Sequence, residues 1–214
     1  TVRRNNIEVA ASHRFCNATP VAIAIYYGMQ SMFEGETHVL TPGGAYTDWT
    51  EVAKASTFTK QEHPLFRRYV EKNRQGYQST WLLPDGLGDH ALLDGQDDIF
   101  IYAPYGKSYH KLIGNKRIKN GDKTCWRGVY TWFETPIADD ADLLCYEGSA
   151  GGHTAVFIDC KRACKRTLAL PGYLDLRHFG TAEQNGGIRI SAAGRNKLKI
   201  KADAPGSCVL LLRE

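Results

Sequence analysis

Arg195-Asn196-Lys197-Leu198-Lys199-Ile200-Lys201-Ala202 is the stretch whose reading decides the fold. Cations occupy its odd positions, while Leu198, Ile200 and Ala202 occupy even ones. Successive side chains leave a strand on opposite faces, so this period of two predicts a β-strand with one face on a core and one in water. The same pattern recurs outward along the chain. Val21, Ile23, Ile25 and Tyr27 alternate with Ala22, Ala24 and Tyr26. Further short apolar runs predict strands at Tyr46–Trp49, Trp81–Leu83, Ile99–Tyr102, Cys125–Phe133, Leu143–Tyr146, Thr154–Asp159, Tyr173–Leu176, Gly187–Ser191 and Cys208–Leu212. Turn residues separate them, as in Asn120-Gly121-Asp122, Asn185-Gly186-Gly187 and Pro205-Gly206. Short strands at this spacing predict an antiparallel β-sandwich of jelly-roll type. Strands do not alternate with helices, which argues against a parallel α/β sheet.

One covering helix is predicted near 64–75. Pro64 suits a first helical turn, Leu65, Phe66, Tyr69 and Val70 make an apolar stripe, and Gly76 closes the element. Arg67, Arg68, Glu71 and Lys72 would then face water. The chain reads as one domain over 1–214, with a weak boundary signal near 160–166, where Lys161, Arg162, Lys165 and Arg166 cluster.

The 214 residues suffice to bury a core without crosslinks, and 43% hydrophobic with 23% charged residues is ordinary for a globular chain. A net charge of +4 is too mild to point to sequence-specific nucleic-acid binding. No apolar run reaches the ~18 residues that cross a bilayer. Six cysteines, an even count, predict at least one disulfide, with Cys160 and Cys164 each within reach of another cysteine, and with it an extracellular or surface location. No cofactor or metal is expected. Cys145, His153, Cys160 and Cys164 are zinc-ligand types but form no CxxC pair. Asp139, Asp140 and Asp142 read as a solvated acidic turn.

Gly151-Gly152-His153-Thr154-Ala155-Val156-Phe157-Ile158-Asp159 resembles the His-bearing strand of papain-like amidases of the cell-wall-hydrolase type. That resemblance implies a cysteine hydrolase with Cys16 as nucleophile, His153 as base and Asp159 as the group orienting it. Cys16 departs from the family pattern, because Cys16-Asn17-Ala18-Thr19-Pro20 reads as a turn into a strand and not as a helix start.

Two constellations suggest binding instead. Tyr102, Tyr105, Tyr109, Lys111, Lys116, Arg117, Trp126, Tyr130 and Trp132 interleave aromatics with cations, a composition that holds head groups or sugars. This region resembles the head-group-binding part of sea-anemone pore-forming toxins, which implies a membrane-active protein, although the amphipathic helix that opens those toxins has no counterpart among these first residues. The second constellation is the stripe Arg195, Lys197, Lys199 and Lys201. The expectation is a non-enzymatic protein acting by recognition or assembly, with anionic glycans or lipid head groups as partners and self-association as a further mode. The alternatives are the cysteine hydrolase, a self-assembling coat or shell subunit, and a toxin-like protein.

Overall fold

Antiparallel strand pairing organises nearly the whole chain in a computed structural model that describes residues 2–3, 5–32, 35–55, 58–59, 62, 67–83, 98–103 and 107–212. The first part supplies β1 (Val2–Arg3), β2 (Asn6–Arg14), β3 (Val21–Met32), β4 (His38–Leu40), β5 (Thr50–Glu51), β6 (Phe58–Thr59), β7 (Arg68–Asn73), β8 (Gly76–Leu82), β9 (Asp98–Ala103), β10 (Lys107–Ile118) and β11 (Lys123–Phe133). The second supplies β12 (Ala138–Asp139), β13 (Leu143–Ala150), β14 (His153–Cys160), β15 (Cys164–Ala169), β16 (Phe179–Gln184), β17 (Ile188–Gly194), β18 (Lys197–Ala202) and β19 (Gly206–Leu212).

These strands form four sheets. A seven-stranded sheet runs β1-β2-β11-β8-β7-β4-β5, and a four-stranded sheet runs β3-β10-β9-β6. A five-stranded sheet runs β12-β13-β14-β19-β16, and a three-stranded sheet runs β15-β18-β17. Among the described residues no sheet closes into a barrel. The first two sheets come wholly from residues up to 133, and the other two from residues 138–212. The basic stretch at 160–166 lies within the second pair, where the chain passes from β14 to β15.

The core clusters show how the sheets stack. Leu143, Cys145, Val156, Ile158 and Leu210 of the five-stranded sheet pack on Leu198, Ile200 and Ala202 of the three-stranded one. Their neighbours Leu144, Tyr146, Phe157 and Val209 point the other way, onto Leu40, Val70, Trp81 and Val129 of the seven-stranded sheet. The far face of that sheet offers Leu82 and Trp126 to Met29, Leu112 and Ile113 of the four-stranded sheet. The order of layers is therefore three, five, seven, four. Gly128 allows the last contact, because a Cβ there would meet Met29 Sδ at 2.0 Å.

Burial on both faces explains where the sequence misleads. The helix expected near 64–75 is not formed over the described part: Arg68–Asn73 is a strand paired with β4 and β8, and 63–66 lie outside the described residues. In a strand, Arg68, Val70 and Lys72 share one face and Tyr69 and Glu71 the other. Both faces of β7 are covered, so Arg68 and Glu71, expected in water, are only 2% and 3% exposed. Tyr173–Leu176 is not a strand but an irregular crossing that inserts Leu174 and Leu176 into the core. Tyr46–Trp49 is likewise irregular, and only Thr50–Glu51 pairs there.

The buried charges are matched across the layers. Arg68 donates to both carboxylate oxygens of Asp159, from Nη1 to Oδ2 at 2.6 Å, and to the Tyr146 hydroxyl at 2.8 Å. Tyr146 in turn donates to Ser79 Oγ at 2.7 Å. Rings of Tyr77, Phe133, Tyr146 and Phe157 stack in sequence at 4.4–4.8 Å across the same boundary. On the opposite face of β7, Glu71 bridges to the four-stranded sheet by accepting from Ser31 Oγ at 2.5 Å and Ser108 Oγ at 2.6 Å.

The expected disulfide is absent. All six cysteines are free thiols, and the nearest approach described, Cys164 Sγ to Cys160 Sγ, is a contact of 3.7 Å, well beyond a bond. Cys145, Cys160 and Cys208 fill the core between the five- and three-stranded sheets as small apolar groups. Burial pushes their thiols up, so they stay protonated. The disulfide argument for an extracellular location goes with this correction.

Candidate functional site

The outer face of the three-stranded sheet gathers the basic stripe. Along β18, exposure alternates residue by residue, so Lys197, Lys199 and Lys201 point outward while Leu198 and Ile200 are 0% and 1% exposed. β18 is the middle strand, and its neighbours add to the face. Lys201 stands opposite Lys165 on β15 and opposite Arg189 on β17. Lys199 stands between Thr167 and Ser191, and Lys197 stands opposite Ala169. Lys165, Thr167, Ala169, Arg189 and Ser191 are all exposed.

This makes one continuous surface of five cations and two hydroxyl residues on three adjacent strands. Cations across the strands are spaced about 4.8 Å apart, and those along β18 about 6.6 Å. Among the described residues only Asp203 answers them nearby, pairing with Arg189 at 2.6 Å and Lys201 at 3.7 Å. Lys165, Lys197 and Lys199 have no ion-pair partner among the described residues. Arg195, the first residue of the predicted stripe, is held aside: its Nε donates to Asp175 Oδ2 at 3.0 Å. Hydrogen bonds from Arg177, joined by Arg195, hold the Asp175 carboxyl well below the usual carboxylate range.

Like charges directly opposite each other on neighbouring strands are unfavourable. A row Lys165–Lys201–Arg189 therefore works against the sheet that carries it. The sequence stripe missed Lys165 and Arg189, although each lies on its own alternating run: Lys165-Arg166-Thr167-Leu168-Ala169 and Ile188-Arg189-Ile190-Ser191. What the sequence lacked was the register that brings the three runs side by side.

The described members of the aromatic and basic constellation lie on two different sheets. Tyr109, Lys111, Lys116 and Arg117 lie on β10 in the four-stranded sheet, whereas Trp126, Tyr130 and Trp132 lie on β11 in the seven-stranded sheet. Tyr109 is buried and stacks on Tyr27 at 4.4 Å. Trp126 is buried and donates to the Tyr26 hydroxyl at 2.8 Å. Tyr130 ties the two sheets together, its hydroxyl meeting both backbone groups of Gln30 at 2.9 Å. Trp132 is exposed, and Arg117 is exposed on a separate sheet. Tyr105 lies outside the described residues, as does the side chain of Tyr102.

The hydrolase residues are also apart. Cys16 follows the end of β2, beside the β10–β11 turn, where Phe15 exchanges backbone bonds with Asp122 and Gly121. The His153 end of β14 lies near Glu8, which accepts from the Gly151 N–H at 3.1 Å. Eight residues separate Glu8 from Cys16, so Cys16 and His153 are on the order of 20 Å apart. Asp159 closes the other end of the same strand, about 20 Å from His153, and is bound by Arg68. No triad forms from these three residues.

The acidic turn is an ion-pair network rather than a solvated loop. Asp139 accepts from Trp49, Lys72, Tyr77 and Lys161 at 2.9–3.0 Å. Burial pushes its carboxyl up, but these hydrogen bonds outweigh it and hold Asp139 well below the usual range. Arg162 and Arg166 pair with Asp140 and Asp142. Among the described residues no group of three His, Cys, Asp or Glu side chains is placed to share one metal ion.

Fold and surface together define a layered antiparallel β protein with one strongly basic outer face. Comparison with protein-family models, with curated proteins and with solved structures found no match.

Proposed function

We propose that this protein recognises anionic polymers or anionic surfaces through the outer face of its three-stranded sheet. The observation that carries the reading is the in-register row Lys165–Lys201–Arg189 with Lys197 and Lys199 beside it, against the one carboxylate, Asp203, that pairs with them among the described residues. An arrangement that strains its own sheet by like-charge opposition is relieved when closely spaced anionic groups lie across it. Thr167 and Ser191 flank Lys199 and supply hydroxyl donors to the same oxygens. The cations stand on rigid strands, so little side-chain ordering beyond the lysine stems is needed on binding. The shared chemistry of the ligand is sulfate, carboxylate or phosphate repeated at a spacing of several ångström.

The test compares two triple variants with equal loss of charge. Lys165→Gln/Lys199→Gln/Lys201→Gln removes the centre of the face. Arg117→Gln/Lys119→Gln/Lys123→Gln removes exposed cations around the β10–β11 turn. Binding to heparin, to phosphatidylserine vesicles and to duplex DNA is measured as salt is raised. The first variant is expected to release at clearly lower salt than the parent on whichever probe binds, and the second to behave as the parent. Screening over about 10 Å at 0.1 M salt makes that dependence steep for exposed charges. Equal weakening by both variants, or none by the first, refutes the proposal; the probe that responds identifies the ligand class.

A further inference from the structure

Each open sheet has two edges, and an exposed edge is a template for another strand unless it is guarded. Among the described residues, seven of the eight edges are guarded. β1, β5, β6 and β12 are only two residues long. β16 carries a bulge at Thr181/Glu183, β17 a bulge at Ala192/Gly194 with Arg189, and β15 carries Lys165 and Arg166. Where β2 and β13 run on past their short neighbours, they present Glu8, His13 and Arg14, and Glu147.

The eighth edge is β3; its irregular part lies between Tyr26 and Gln30, and its first half, Val21–Ile25, has none of these guards. It is 12 residues long, from Val21 to Met32, and contains no charged residue and no proline. Among the described residues it pairs only with β10, and the register shifts of that pair lie between Tyr26 and Gln30, so Val21–Tyr26 holds one register on β10. Tyr130 covers the backbone of Gln30, but no backbone bond reaches the outer edge of Val21–Tyr26 among the described residues. Val21 is 42% exposed and Ile25 50%, and Ala22 and Ala24 are exposed too. Val21-Ala22-Ile23-Ala24-Ile25-Tyr26 has the β-branched, uncharged composition that pairs strand to strand.

We infer that β3 pairs antiparallel with β3 of a second copy of this chain, joining two four-stranded sheets into one of eight strands. The sequence of the edge identifies the occupant. A two-fold axis perpendicular to the sheet and midway between the two copies of Ile23 sets Ile23 opposite the partner's Ile23, Ala22 opposite the partner's Ala24, and Val21 opposite the partner's Ile25. From Val21 to Ile25 small residues meet small and β-branched residues meet β-branched; the pairing ends there, because Tyr26 would stand opposite the partner's Pro20, which has no N–H to donate. Directly opposite residues share a face, so this register keeps each copy's inner face toward its own core. The lysines of β10 do not oppose it, because two β10 strands would be separated by three strand spacings, about 14 Å, beyond the screening length at physiological salt. Self-pairing rests on the edge alone and does not depend on the basic face.

The full chain is examined by sedimentation velocity over a wide concentration range, beside two double variants at the exposed positions. Val21→Lys/Ile25→Lys places lysine opposite lysine twice in the symmetric pair. Val21→Glu/Ile25→Lys places glutamate opposite lysine twice. Circular dichroism and urea unfolding check that both remain folded. The parent is expected to dimerise, the lysine pair to weaken dimerisation at least about tenfold, and the glutamate–lysine pair to restore it. A parent that stays monomeric throughout overturns the inference. So does a dimer indifferent to the two lysines, or one that the glutamate–lysine pair fails to restore.

Discussion

Glu71 is a carboxyl group enclosed between the seven- and four-stranded sheets, and it ought to leave a measurable mark on stability. Burial pushes its pKa up from 4.5 to about 7, against the pull of the hydrogen bonds from Ser108 and Ser31. Tyr69 and Tyr130 face the same carboxyl and supply no positive charge to offset its burial. Since the folded-state value is the higher one, the fold favours the protonated acid. The associated stability is fully present below the unfolded pKa and is lost as pH rises through about 7. A shift from 4.5 to about 7 corresponds to about 3 kcal/mol. Glu71→Gln keeps the shape, accepts from one serine, donates to the other, and cannot ionise. Urea unfolding of parent and variant at matched pH gives the difference, in which every other titrating group cancels. That difference is expected to be small near about pH 4 and to grow by about 3 kcal/mol in favour of the variant by about pH 8.5. A difference that stays constant over this range would mean that Glu71 is not the buried acid described, and the reasoning fails.

Two other outcomes follow from the same interior. Arg68→Met leaves Asp159 buried without its partner and is expected to cost about 3–5 kcal/mol, whereas Arg68→Met/Asp159→Leu recovers most of that loss in chemical denaturation; equal losses would contradict a charge-based account. Thiol titration is expected to count six groups after unfolding, with Cys16 reacting fast in the native protein and Cys145 and Cys208 silent, and a count of four or fewer in the unfolded chain would restore a disulfide.

The class of the fold was legible in the sequence wherever one strand face meets water. The alternation of Lys197–Ala202 is reproduced residue by residue, with Leu198 and Ile200 inside. Where both faces are covered, alternation vanishes and pattern reading fails. β7 holds Arg68, Tyr69, Val70 and Glu71, all buried, and local reading placed its polar residues in solvent. Partners for Arg68 and Glu71 come from Asp159, Ser31 and Ser108, at separations no local window contains. The basic face was legible along β18 but not across it, because Lys165 and Arg189 join it only through strand register. In the aromatic region the converse holds: residues close in sequence, such as Arg117 and Trp126, are carried by β10 and β11 into different layers.

The stacking order has a consequence for biosynthesis. The seven-stranded sheet is complete once residue 133 has been made, yet its face bearing Leu40, Val70, Trp81 and Val129 is covered, among the described residues, mainly by strands from residues 143–212. At roughly 5–20 residues per second, the ribosome leaves that face uncovered for about 4–16 s. During the same interval the unguarded edge of β3 is already assembled beside it. A chain emerging from the ribosome therefore presents a sticky face and a sticky edge together before its own second half arrives. Slow codons or a stalled ribosome beyond residue 133 would lengthen that interval, and the nascent chain would then depend on a holding chaperone more than the finished protein does.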